Sequence, residues 1–204
     1  MHRSTASACD QRRALQLSTT MTVDTFWVRH GESTWNRLGL MQGQTRWPAL
    51  TADGVRQAHA AAETLMPHAP ALVISSDLRR AAETADIIGG RLDVPVRYTP
   101  LLRERCWGIF EGRPVADGHR AEAALSADEA LPHGEARNDV ARRLRSLLER
   151  LTTDAGPLVA VTHGDVLREA ISMWAPDLHH ESALPKNGWV VRILVDRRNG
   201  SMHP

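Results

Sequence analysis

Cysteine is nearly absent from this chain: its 204 residues hold two, Cys9 and Cys106, far apart in the sequence. Two distant thiols make neither a disulfide framework nor a zinc-binding spacing, so a reducing, cytoplasmic compartment is the expectation. No apolar run approaches the roughly 20 residues that span a bilayer, which excludes a membrane helix. The formal charge is only +1, and such a balance gives no reason to expect nucleic acid or an acidic membrane as partner. Lysine is missing except for Lys186, so nearly all positive charge is arginine. A GC-rich genome accounts for that, and a protein that handles oxyanions would share it. Residues 1–20 are rich in Ser, Thr and Arg, carry one acid, Asp10, and lack the apolar core of a secretory signal. They are read as a disordered N-terminal extension, with residues 21–204 forming a single domain that begins near Met21.

Hydrophobic residues make up 42% and charged residues 24% of the chain, enough apolar material for one sizeable core. Short apolar runs alternate with helical patterns. Thr25–Val28 reads as a strand ending at Arg29-His30-Gly31. Thr51–Gly54 offers capping chemistry for a helix over Val55–Leu65. Ala71–Ile74 reads as a buried strand. Ser75-Ser76-Asp77 supplies a helix start, and the helix over Leu78–Ile88 is expected to stop at Gly89-Gly90. Val94–Tyr98 is the next strand, and residues 112–134 read as loop with some helix. Val140, Leu144, Leu147, Leu148 and Leu151 fall at amphipathic spacing within a helix over Glu135–Leu151. Leu158–Val161 is another buried strand, a helix follows to about Trp174, and Trp189–Val195 closes the set. This alternation predicts an α/β fold, a three-layer α/β/α sandwich around a mostly parallel central sheet. In such sheets ligands bind beyond the carboxyl ends of the strands. Arg29-His30, Ser75-Ser76-Asp77 and Thr162-His163 all fall there.

Phosphoryl transfer through a side chain needs a nucleophile that is partly neutral near pH 7, cationic donors for the phosphoryl oxygens, and an acid for the leaving group. Arg29-His30-Gly31 meets the first two needs at one strand end, although a surface turn is the plainer reading of the tripeptide alone. His163 follows an apolar run and is preferred over His133, which has no strand before it. A helix N-terminus beside Arg79-Arg80 is a ready anion site. Glu104, between Arg103 and Arg105, is either a proton donor or half of a surface ion pair.

Taken in order, these pieces resemble the histidine phosphatase superfamily, the phosphoglycerate mutase-like family, from about Thr25 to Val195. The words that carry the resemblance are Arg29-His30-Gly31-Glu32-Ser33-Thr34-Trp35-Asn36, then Met41-Gln42-Gly43, then Leu50–Gly54. They continue with Ser75 to Ala85, Leu102 to Gly112, Gly134-Glu135 with Asp139-Val140 and Arg143, and Val161-Thr162-His163-Gly164. The resemblance implies that His30 is the nucleophile and that Arg29, Arg80 and His163 hold the phosphoryl group with Asn36 and the Gly164 amide. It implies Glu104 as general acid and then base, and Gln42 and Trp107 on the substrate side. It further implies a small phosphomonoester as substrate, neither cofactor nor metal, and dimers as a common assembly. One departure is Arg46, standing where relatives often carry an acid. It leaves substrate preference open and suits a further anionic group on the substrate.

A phosphatase is favoured over a cofactor-dependent phosphoglycerate mutase. The resemblance implies a longer insertion in mutases, and only 59 positions separate Glu104 from His163 here. A non-catalytic phospho-ligand module would be expected to have lost His30, Glu104 or His163. A metallohydrolase built on those same residues would set two arginines against a divalent cation. His163 is most useful as a cation and His30 as a neutral base, so the two are expected to titrate apart.

Overall fold

The structure, a computed structural model, describes residues 22–150, 156–180 and 185–196. The expected extension over residues 1–20, Cys9, and Leu151 at the end of the amphipathic helix lie outside them. The strands are β1 (Thr22–Arg29), β2 (Leu72–Ser76), β3 (Val96–Thr99), β4 (Leu158–Thr162) and β5 (Val190–Asp196). They form one sheet in the order β3-β2-β4-β1-β5. β1 to β4 run parallel, and β5 pairs antiparallel with β1. The helices are α1 (Thr34–Arg37), α2 (Ala52–Leu65), α3 (Arg79–Leu92), α4 (Val115–Glu122), α5 (Arg137–Arg150) and α6 (Gly164–Trp174).

Strand alternation sorts the core into two layers. Phe26 and Val28 of β1 face the same side as Val159 and Val161 of β4, against Ala61, Ala62 and Leu65 of α2 and Ala81, Ala85 and Ile88 of α3. Val23, Trp27, Leu158 and Ala160 face the other side, against Val140, Leu144, Leu147 and Leu148 of α5 and Val166, Leu167, Ala170 and Ile171 of α6. Each of these buried leucines contributes roughly 1.5–3 kcal/mol by leaving water. The three-layer sandwich expected from the sequence is therefore present. Parallel strands with helices on both faces need such near-continuous apolar runs.

Two local expectations change, and a third is borne out. α3 does not stop at Gly89-Gly90 but runs to Leu92 and ends at Asp93, whose φ is 56°. Gly89 is there for space: a Cβ would fall 2.3 Å from Val96 Cγ2 of β3. The helix start at Ser75-Ser76-Asp77 is only half right. Leu78 is the N-cap without a side-chain cap bond, Ser76 Oγ accepts from Leu78 N at 3.2 Å, and Asp77 pairs with Arg103 instead. Within residues 112–134 the helix is α4. Its Gly118 packs so closely on Met41 and Trp107 that a Cβ would meet Met41 Cε at 2.8 Å. Met41, Trp107 and Leu131 form a small third cluster that fastens this segment over the carboxyl ends of the strands.

Candidate active site

His30 leaves the end of β1 with its backbone N–H bonded to Thr162 O of β4 at 2.9 Å. The ring is 2% exposed. Gly31 follows because the chain passes against α2 there: a Cβ would lie 2.3 Å from Gly54 O. His30 Nδ1 sits 2.7 Å from Gly31 O. A carbonyl can only accept, so Nδ1 carries the ring proton and Nε2 keeps its lone pair. Burial, then the charges of Arg80 and Arg29, hold the imidazole well below its ordinary 6.5, and the Gly31 bond opposes them only weakly. Near neutral pH His30 is thus a neutral base.

His163 caps α6. Its ring centroid lies 5.0 Å from that of His30, edge-on at 62°. Nε2 is 2.9 Å from Ser76 Oγ. The expected division of labour, with His163 cationic, does not hold in this site. Burial, Arg80, His30, Arg143 and Arg29 all push His163 well below 6.5 as well. The same desolvation and the same guanidinium act on both rings, so both favour the neutral form near pH 7.

Arg80 is fully buried on the first turn of α3. Its terminal nitrogens donate to Thr45 O at 2.9 Å and Gly43 O at 2.8 Å. Burial lowers its pKa to about 10, with Glu104 and Glu111 opposing; it stays charged. Arg29 donates to Pro185 O, and burial likewise lowers it. Among the described residues, the buried side-chain nitrogens and oxygens without a hydrogen-bond partner are three: Arg29 Nε, Arg80 Nε and His163 Nδ1. Buried donors are almost always paired. Two of the three are guanidinium donors of arginines that line the cleft with His30, which defines a place for an oxyanion there. Arg79 is exposed and pairs with Glu83, as expected for the outward neighbour.

Glu104 is not half of a surface ion pair. Its flanking arginines are taken, Arg103 by Asp77 and Arg105 by Glu122 and Asp165. Its own oxygens accept from Arg105 N at 2.9 Å and Asp165 N at 3.3 Å. Burial, then the neighbouring Asp165 charge, raise its pKa above the usual carboxylate value, against the pull of those N–H groups and Arg80. A carboxyl at the cleft wall whose proton is held more tightly than usual suits a general acid.

The cleft has a volume of about 80 Å³ and is lined by Arg29, His30, Asn36, Gln42, Arg80, Glu104, Trp107 and Gly164, together with Leu40, Met41, Val115, His119 and Asp165. Every site residue expected from the sequence lines it except His163, whose ring packs edge-on against His30. Trp107 is 2% exposed. It donates from Nε1 to Asp165 Oδ2 at 3.0 Å, and Arg105 stacks 4.1 Å over its ring. Its main contact is thus with the wall rather than the opening. The sequence reading placed Ser76 at the rim without a role, and it missed Asp165, the contact of Asn187 with Asn36 and the pairing of Ser33 with Asn36. That last pair was readable as a polar cap three residues apart. Asp165 gave no local signal, and nothing local joins Asn187 to Asn36.

The sequence profile of the histidine phosphatase superfamily (branch 1) matches residues 25–201. The chain belongs to this superfamily. Among its relatives, a Yersinia enterocolitica protein named probable phosphoglycerate mutase GpmB is 36% identical over 152 residues, 70% of each chain. A solved mycobacterial glucosyl-3-phosphoglycerate phosphatase, in complex with VO3, superposes with TM-score 0.71 at 32% identity over 83% of this chain and 92% of that one. A phosphoglycerate mutase from Thermus thermophilus gives TM-score 0.65 at 30% identity over 85% and 97%. These histidine phosphatase relatives are phosphatases and mutases, so the chain is an enzyme of phosphoryl transfer. Among the described residues, no helix is long and apolar enough to cross a membrane.

Proposed function

We propose that this histidine phosphatase hydrolyses small phosphomonoesters, of the sugar-phosphate or phosphoglycerate type, in the cytoplasm through a phosphohistidine on His30. The observation that carries the reading is the His30 ring: Nδ1 is committed to Gly31 O at 2.7 Å, so the free Nε2 lone pair faces a cleft floored by Arg29 and Arg80. In the first step Nε2 attacks phosphorus, the P–O ester bond breaks, and the Glu104 proton passes to the departing alkoxide. In the second, water attacks phosphorus, the Glu104 carboxylate takes its proton, and the P–N bond electrons return to the imidazole. Arg29 and Arg80 supply the positive charge that a phosphoryl group in transit requires, so no metal ion takes part. The raised pKa of Glu104 supports the acid role, and the short Glu104–His163 interval favours hydrolysis over a shielded transfer back to substrate.

The test is phosphate release in EDTA from p-nitrophenyl phosphate and a panel of sugar phosphates and phosphoglycerates. Turnover that disappears in His30→Ala is expected. Interconversion of phosphoglycerates outpacing phosphate release would replace this reading with a mutase.

A further inference from the structure

The segment after residue 184 returns to the catalytic floor and binds it repeatedly. Pro185 O accepts from Arg29. Gly188 N donates to Arg29 O at 3.0 Å, and Arg29 N donates to Trp189 O at 3.1 Å. Within this stretch the Asn187 side chain bonds two residues that line the cleft. Its Nδ2 donates to His30 O at 3.0 Å and to Asn36 Oδ1 at 3.2 Å.

Asn36 Oδ1 is therefore a shared acceptor. Ser33 N donates to it at 3.0 Å as part of the capping box of α1. Ser33 Oγ also lies 3.0 Å away, but its single proton has a shorter acceptor in Gln42 Oε1 at 2.7 Å. An amide has one acceptor end and one donor end. With Ser33 N and Asn187 Nδ2 both converging on the acceptor end, the Asn36 NH2 is turned the other way, and Asn36 lines the cleft. Were the amide reversed, two NH2 groups would face each other and the cleft would receive an oxygen that repels phosphate. The capping box alone supplies one of the two donors. The second comes from 151 positions away in the chain.

We propose that Asn187 is a positioning residue: it locks the Asn36 amide with its NH2 toward the phosphoryl oxygens. This rests on the phosphohistidine reading for its purpose, but the Asn36–Asn187 coupling is measurable without it. No contact of Asn187 with substrate is implied, and its effect passes through Asn36.

The experiment is a double-mutant cycle of Asn36→Ala and Asn187→Ala in the full chain, with Asn187→Asp as a same-size variant that lacks the donor. Orthovanadate inhibition, kcat/KM for p-nitrophenyl phosphate and Tm are read for each. Loss of one hydrogen bond to a charged group predicts that Asn187→Ala and Asn187→Asp weaken vanadate by about tenfold and lower kcat/KM by a similar factor. In the Asn36→Ala background the further loss should shrink to about twofold or less, because the residue through which Asn187 acts has gone. Multiplicative losses in the double variant would overturn the proposal. So would a fall in Tm with vanadate affinity and kcat/KM unchanged, since that marks a purely structural strap. If vanadate coupling appears while His30→Ala still turns over, the positioning inference stands and the phosphohistidine reading fails.

Discussion

Arg80→Met separates the cost of a buried charge from its use. The guanidinium is fully buried, and its pKa falls from 12.5 to about 10, which amounts to roughly 3 kcal/mol of disfavour for the charged form in the fold. Methionine fills similar volume without charge, so that disfavour is relieved. Against this, Gly43 O and Thr45 O each lose a donor, at about 1–3 kcal/mol apiece. The two effects offset each other to within a few kcal/mol. Tm should therefore move by less than about 12 °C, since a kcal/mol is worth roughly 2–4 °C in a domain of this size. Catalysis has no such compensation. Removing one oxyanion donor costs about 10²–10³ in rate, and Arg80 also lowers the pKa of both histidines, so kcat/KM should drop by about 10³. Scanning calorimetry with and without saturating phosphate completes the assay. Phosphate at 100 times its Kd adds about 2.7 kcal/mol to the wild type and should add almost nothing to the variant. A variant within tenfold of wild-type activity, or one stabilised by phosphate as much as the wild type, would refute the assignment of Arg80 to the oxyanion.

Glu104→Gln should slow an alkyl phosphate by about 10²–10⁴ and p-nitrophenyl phosphate far less, because only the alkoxide depends on a proton from the enzyme; equal losses on both would remove Glu104 from that role. The pH profile follows from shifts of opposite use. kcat/KM rises as His30 loses its proton below 6.5 and falls as Glu104 loses its proton above 4.5, so the profile is bell-shaped, and a profile flat between about pH 5 and 8 would contradict it. Stability moves with the histidines. Their folded pKa values are depressed, so the unfolded chain takes up protons first and Tm should decline as pH falls below 6.5. Glu104, raised above 4.5, acts in the opposite sense as pH rises through its own window, one group against two. A Tm constant from pH 7 to 5 would show that the rings are not held neutral by burial.

The layer architecture was legible because it follows from apolar runs such as Leu158–Val161, buried on both faces of the sheet, and from the period of α5. The site was legible where function needs a residue type next to a strand end: Arg29-His30 after β1, His163 after β4, and Arg80 at the start of α3. What could not be read has one physical cause, distance in sequence. Gly89 looks like a helix stop until β3 is seen packed on it. Glu104 looks like an ion-pair member until Asp77, Glu122 and Asp165 are seen to occupy its arginines. Asn187 joins Asn36 only through the sheet. The protonation of His163 was misjudged because the demand of a bound phosphate was considered without the desolvation that a buried ring suffers beforehand.

The most direct test of the central claim is to quench the enzyme during turnover of a ³²P-labelled phosphomonoester and map the label. An acid-labile, alkali-stable phosphoryl group on His30, formed within one turnover and absent from His30→Ala, is the predicted result. Label on another residue, or continued turnover by His30→Ala with no labelled protein at all, would contradict it.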